Sequence, residues 1–394
     1  MSTLRILLAH NAYQQRGGED AVVEDELALL RSRGHVVETY FRHNDEINGA
    51  SRIKTAVQTA WSIKTRDEVT ARILDFKPDL IHVHNTFPLI SPAMYWAADR
   101  LAVPVVQTLH NFRLMCLNAL FLREDKVCED CMGQVPWQGV VRACYRGSRT
   151  ASATLAGMLT LHRGLGTYRN KVARYIALNE FCRGKFIEGG LPAERVVVKP
   201  NFVDFAAPEP APRAGLLFVG RLSVEKGVAT LAQAMVLSTT AQLRVAGDGP
   251  EAGLLDGVAG VDRLGSLSGE TVRQEMSRAA ALVVPSICYE NFPRTIAEAF
   301  ACGLPVIASR IGALADIVQD GETGLLFEPG NPRDLADKMA WALAHPDEMA
   351  DMGRNARAQY EAKFSAEVNY QRLMEIYATV LNERRVKNPI VNAM

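Results

Sequence analysis

The sequence predicts two doubly wound α/β domains in tandem, and three observations lead there. The chain has 394 residues, 48% hydrophobic and 22% charged, enough apolar side chain for two cores. Short β-rich apolar runs ending in Gly, His, Asn or Ser alternate with longer segments of helical period, the pattern of right-handed βαβ units on a parallel sheet. The alternation then restarts after PNFVDFAAPEPAPRAG, whose prolines at 200, 208, 210 and 212 read as a linker.

The first domain takes its strands from LRILLAH (4–10), HVVETY (35–40), LIHVHN (80–85), VPVVQTLHN (103–111) and RYIALN (174–179). Between the first two, AVVEDELALLRSRG has a helical period, with Val22, Leu27, Leu29 and Leu30 on one side and Gly34 as C-cap. The second domain takes GLLFVGR (215–221), AQLRVAGDG (241–249), VDRLGSL (261–267), AALVVPS (280–286), LPVIAS (304–309) and TGLLFEP (323–329). A last amphipathic helix runs from Ser365 to about Arg385. The expected boundaries are 1–205 with a Cys-containing insertion at 112–150, then 206–365, then a helix and tail at 366–394. Doubly wound sheets take ligands at the C-terminal ends of their strands, so the two domains are expected to face a ligand cleft.

Lys plus Arg and Asp plus Glu both number 44, which argues against a general nucleic-acid binder. The N-terminal MSTLRILLAHNAY lacks the charged start, long core and cleavage site of a signal peptide, and no apolar run approaches the length of a membrane span. A cytoplasmic protein is expected, with peripheral contact on the inner face of the membrane left open.

Chemistry concentrates at the strand ends. In SICYENFPRTIAEAFACG, a loop carrying Glu290, Asn291 and Phe292 leads into a helix closed by Gly303. The helix start, at Arg294 and Thr295, offers free N–H groups and the positive dipole end, an anion site suited to phosphate. Glu298, one turn in, could accept from paired hydroxyls such as those of a ribose. Two glutamates beside a helix start can also do no more than complement its dipole. GLLFVGRLSVEKG adds Arg221 and Lys226 on one βα loop, a guanidinium fork and a point charge of the kind a diphosphate leaving group requires without a metal. In RVAGDGPE, Gly247 permits close backbone approach to a ligand. In the first domain, Gly17 and Gly18 precede a helix beginning near Glu19 or Asp20, with no G-x-G-x-x-G fingerprint. His110, at the end of TLHN, could bond a hydroxyl of a reacting sugar, while His82 and His84 read as structural.

Together these residues resemble the retaining GT-B-fold glycosyltransferases of family 4, of bacterial type, over nearly the whole chain. The most specific matches are Gly220, Arg221 and Lys226 (GR-x4-K) with Glu290, Phe292 and Glu298 (E-x-F-x5-E) and the following ACGLPVIAS. The resemblance implies that Arg221 and Lys226 bind the nucleotide diphosphate, Glu298 the ribose and Glu290 the donor sugar, and that His110 is the family's strand-end histidine. Pro293 departs from the glycine many members carry, so phosphate contacts pass to the Arg294 and Thr295 backbone or the Thr295 hydroxyl. The implied reaction moves a hexose from a UDP- or GDP-sugar to a saccharide or polyprenyl-linked acceptor with retention, in cell-surface polysaccharide or glycolipid synthesis. No cofactor is required for that chemistry. A nucleotide-sugar epimerase, a phosphorylase or a non-catalytic nucleotide-sugar-binding protein is the alternative.

Two features lie outside this pattern. Cys116, Cys128, Cys131 and Cys144 follow a C-x11-C-x2-C-x12-C spacing, a candidate structural zinc site against ordinary reduced thiols. Residues 131–179 contain no Asp or Glu but seven cations, Arg142, Arg146, Arg149, Arg163, Arg169, Lys171 and Arg174: either a solvated basic face or a surface for anionic lipid.

Overall fold

The computed structural model describes residues 3–14, 17–47, 52–205, 209, 211–238 and 240–387. Prolines 208 and 210 of the expected linker lie outside them. The chain divides into two compact units, Met1–Ala119 with Glu129–Pro200 and Asn369–Met394, and Leu120–Cys128 with Asn201–Val368.

In the first unit, β1 (Arg5–Ala12), β2 (Val36–His43), β3 (Leu80–Asn85), β4 (Val105–Thr108), β7 (Arg174–Ala177) and β8 (Val196–Val198) form a parallel sheet in the order β2-β1-β3-β4-β7-β8. Ile6 on β1 pairs with Val37 and Leu80, and Val106 on β4 with Arg174. Every residue of β3 is buried, as expected for a strand covered on both faces. The register of β1 on β3 shifts between Ala9 and His10, a bulge at the C-terminal end of the strand where side chains are re-aimed. Ile6, Leu8, Val23, Leu30, Leu80, Val106 and Ile176 form one core with Leu373, Met374, Tyr377 and Val380 of the last helix, Ala366–Lys387.

The helix Gly18–Ser32 corrects one expectation. Its buried stripe is Val22, Val23, Glu26, Leu29 and Leu30, so a carboxylate occupies a core position, and Leu27 packs only at the rim.

In the second unit, β9 (Leu216–Val219), β10 (Leu243–Ala246), β11 (Val261–Gly265), β12 (Ala281–Val284), β13 (Val306–Ser309) and β14 (Gly324–Phe327) form a parallel sheet in the order β11-β10-β9-β12-β13-β14. This is the 3-2-1-4-5-6 order of a Rossmann sheet, with its switch point between β9 and β12. Leu216, Phe218, Leu231, Val245, Val283, Ile307 and Phe327 fill its core. The antiparallel pair β5 (Leu122–Arg123) and β6 (Lys126–Val127) belongs to this unit, with Phe121 edge-on to Tyr289 at 5.9 Å between centroids. Neither β8 nor this hairpin was expected from the sequence.

Candidate functional site

The second unit builds its site at the switch point. The chain leaves β9 through Gly220 and Arg221, makes a 3-10 turn at Val224–Lys226 and reaches Gly227, whose φ is +70°. A Cβ on Gly227 would stand 1.9 Å from the Pro285 carbonyl oxygen, so only glycine lets this loop lie against the end of β12. The Ile287 N–H donates to the Glu225 carbonyl at 3.0 Å and ties the two loops together. Gly247 closes the other side: a Cβ there would meet the Gly220 oxygen at 1.9 Å. Three strand-end loops are thereby fixed to one another by backbone.

On this base the charges converge. The Lys226 ammonium lies 2.6 Å from Glu290 Oε1, and the Ser286 hydroxyl donates to the same oxygen at 2.8 Å. Burial alone would lower the Lys226 pKa, but the Glu290 carboxylate outweighs it and holds the group above its ordinary value. The lysine is thus a fixed positive charge, and Arg221 is exposed on the same loop. The helix Arg294–Ala301 starts after Pro293, and its Glu298 accepts from Arg294 Nε at 3.0 Å. Thr295 is half-buried in the first turn, where helix N–H groups lack intrahelical partners. Asn291 is buried in the approach loop, while Phe292 packs edge-on to Phe364 with centroids 5.5 Å apart, which makes it an anchor for that loop.

The first unit has its own polar cluster. Gly17 caps the helix Gly18–Ser32, and its N–H donates to Asp20 Oδ2 at 2.8 Å. Gly18 is exposed, with open space where a Cβ would stand. Tyr13 donates to Glu19 Oε2 at 2.9 Å, and Asn111 Nδ2 reaches the same oxygen at 3.3 Å. Burial pushes the Glu19 carboxyl up to about 6, more than its neighbours pull it down. Half-buried His110 lines a cavity of about 40 Å³ with His84, Gln107, Asn111 and Arg113. Its Nε2 lies 2.8 Å from His84 Nδ1, so His84, read as structural from the sequence, touches the candidate catalytic histidine.

The thiols fall outside regular elements, Cys116, Cys131 and Cys144 in the first unit and Cys128 in the second. Within the acid-free stretch, Arg142 pairs with Asp130, Lys171 with Asp99 and Arg174 with Glu383, while Arg163 donates to the Gln134 and Leu114 carbonyls. Arg149 donates to the Val141 carbonyl and Arg146 lies over the Tyr145 ring, so six of the seven cations have a partner within the chain.

The family model for Glycosyltransferase Family 4 matches residues 16–207, and that for Glycosyl transferases group 1 matches residues 213–345. The two matches follow one another along the chain and meet at the boundary between the two sheets. Sulfoquinovosyl transferase SQD2 of Arabidopsis thaliana is 26% identical over 307 residues, a match spanning 76% of this chain but 56% of that protein. D-inositol 3-phosphate glycosyltransferase 2 of Catenulispora acidiphila is 27% identical over 326 residues, 78% of this chain and 72% of the relative. The Anabaena protein HepE, solved in complex with UDP and glucose, superposes with a TM-score of 0.67 at 19% identity, covering 95% of this chain and 100% of HepE. The structural likeness shows the fold, two parallel-sheet, Rossmann-like domains of GT-B type. Such glycosyltransferases need no cofactor for their chemistry.

Proposed function

We propose that this chain transfers a glycosyl group from a nucleoside diphosphate sugar to a saccharide or lipid-linked acceptor, with retention at the anomeric carbon. The observation that carries this reading is the convergence of Lys226, Glu290 and Ser286, with Arg221 exposed on the same loop as Lys226, on glycine-locked loops at the switch point of the second domain. Arg221 and Lys226 bind the diphosphate and meet the charge that develops on it as the glycosidic bond breaks. The first turn at Arg294 and Thr295 adds backbone donors to the phosphates, and Glu298 accepts from the ribose hydroxyls. Glu290 orders Lys226 and accepts from hydroxyls of the donor sugar. In the first domain, Gly17 and Gly18 let backbone approach the substrate, and His110 bonds the sugar. Retention follows when the departing phosphate oxygen takes the acceptor's proton on the face it leaves. UDP is the favoured nucleotide, since HepE was solved with UDP, UDP-glucose and glucose.

The test is a panel of UDP-, GDP- and ADP-sugars in calorimetry and slow hydrolysis assays, followed by NMR of the transfer product. Tight binding of one nucleotide sugar and an unchanged anomeric configuration are expected. Glu298→Gln is expected to weaken donor binding by about 1–3 kcal/mol, the scale for a charged hydrogen-bond acceptor lost. A chain that binds no sugar nucleotide refutes the reading.

Peripheral membrane contact is a second element of the proposal. It is supported by exposed Val135, Trp137, Val141, Leu161 and Leu165 in the same stretch as Arg146 and Arg149. Among the described residues, no helix is long and apolar enough to cross a membrane. Sedimentation with phosphatidylglycerol vesicles, lost on Trp137→Ser with Val141→Ser, is the expected result. Equal recovery with neutral vesicles overturns it.

A further inference from the structure

The first unit buries a chain of ionisable groups that the donor-binding reading leaves unused. Glu26 and Lys199 are each 1% exposed, with Lys199 Nζ 3.2 Å from Glu26 Oε2 and 2.9 Å from Asn369 Oδ1. The other carboxylate oxygen, Oε1, lies 2.9 Å from His82 Nδ1 and 3.3 Å from His84 Nε2. His82 is held on both nitrogens, with the Tyr377 hydroxyl 2.7 Å from Nδ1 and Thr108 Oγ1 2.9 Å from Nε2. His84 passes the chain on, its Nδ1 2.8 Å from Nε2 of His110, with the two rings stacked at 5.1 Å. His10, paired with Asp20 at 2.8 Å, stands edge-on to His84.

The protonation pattern follows from donor and acceptor types. Burial alone would push the Glu26 carboxyl up, but the Lys199 ammonium and the imidazoles of His82 and His84 hold it well below the usual range, so it is an acceptor only. Burial, reinforced by neighbouring histidines, pushes His84 down to about 4 and His110 well below its ordinary value, so both rings are neutral at neutral pH. The atom of His84 facing the carboxylate, Nε2, lies 3.3 Å from Oε1 outside hydrogen-bond geometry, and the buried negative charge there draws the ring's one proton to Nε2. Its Nδ1 must accept, and the proton between the two rings belongs to His110 Nε2. The Nδ1 of His110 is left as a bare lone pair.

We propose that Glu26 is a positioning residue for the transfer reaction: acting through His84, it holds His110 in the Nε2–H tautomer and so presents Nδ1 as an acceptor for a sugar hydroxyl. The proposal rests on the reading of His110 as a sugar-contacting residue. A metal ion is a poorer reading of the same cluster, although Glu26, His82 and His84 bring three ligand atoms within 4.8 Å of one another. The Lys199 ammonium already balances the carboxylate, and a divalent ion would add two uncompensated charges among side chains no more than 3% exposed.

The test uses the full chain labelled with 15N-histidine, with His110 assigned from the resonances lost in His110→Gln. Long-range 1H–15N spectra at neutral pH are expected to show a protonated Nε2 and an unprotonated Nδ1 for His110. His84→Phe is expected to give mixed tautomers at His110 and to lower turnover about tenfold or more, the scale on which an orienting partner is felt. The wild-type spectrum needs no variant, so a folding defect in His84→Phe does not blunt it. A protonated Nδ1 in a chain crippled by His110→Ala overturns the proposal alone, as does a His84→Phe variant with unchanged spectrum and turnover. Wild-type turnover in His110→Ala overturns the sugar-contact reading and the proposal with it.

Discussion

Lys199→Met deletes an ammonium while keeping most of the side-chain volume, and its effect can be worked from the contacts in the first unit. The residue is 1% exposed and its two acceptors, Glu26 Oε2 at 3.2 Å and Asn369 Oδ1 at 2.9 Å, are buried with it. Removing one partner of a buried pair leaves the other charge uncompensated, at a cost of about 3–5 kcal/mol. At about 2–4 °C per kcal/mol for a domain of this size, the melting transition of the first unit is expected to fall by about 6–20 °C at pH 8. The loss depends on pH with a definite sign. Wild-type Glu26 has a depressed pKa, so its contribution is present above the unfolded value and is lost only as pH falls through the folded one. Without Lys199 the same carboxyl rises above its unfolded value, and stability then declines as pH increases through that new window. The penalty is therefore larger at pH 8 than at pH 5. Adding Glu26→Gln removes the stranded charge and is expected to restore much of the transition. Scanning calorimetry at both pH values checks this; a drop under about 2 °C, or one that ignores pH, refutes the reasoning.

Glu19 gives the opposite sign. Its pKa lies near 6 against an ordinary 4.5, so the folded state loses stability as pH rises between those values, and Glu19→Gln is expected to gain up to about 2 kcal/mol above pH 6 and nothing below pH 4.5, read from denaturant melts. Arg221→Ala and Lys226→Ala are each expected to lower turnover about a hundredfold or more, with no effect of EDTA in a steady-state assay; activity lost to EDTA and restored by Mg²⁺ points to a metal-held diphosphate instead. Metal analysis of untagged protein is expected to give close to one zinc per chain, and Cys128→Ser with Cys131→Ser a lower melting temperature; a metal-free chain leaves ordinary thiols.

Each half of the candidate site in the second unit was legible because its groups lie within a single loop or helix start. Arg221 and Lys226 share one strand end, and Glu290 and Glu298 flank the start of the helix Arg294–Ala301, while the 64 positions between Lys226 and Glu290 are closed only by the pairing of β9 with β12. The buried network was not. Glu26 follows Glu24 and Asp25, and only its place in the stripe of Val22, Val23, Leu29 and Leu30 separates it from a surface acid. Its counter-ion stands 173 positions along the chain, beyond the reach of any local pattern. Strand β8 is only three residues long and runs into Lys199 and Pro200. The β5–β6 hairpin turns on Glu124 and Asp125, both at positive φ, without the Asn-Gly pair that advertises such a turn. Strand ends were overrun where apolar loop residues such as Leu109 and Pro285 continue the run.

The last helix has a consequence for biosynthesis. Leu373, Met374, Tyr377 and Val380 complete the core that Ile6 and Leu8 begin, yet the ribosome makes them only after the whole Rossmann sheet of the second unit. Domains made in order normally fold as they emerge. Here the first unit must wait with an unfilled face, and its buried carboxylate lacks both Asn369 and Tyr377 nearby until residues 369–377 have been made. Nascent chains halted before residue 369 are therefore expected to hold the second unit protease-resistant and the first one still cleavable, the reverse of the order in which they are translated.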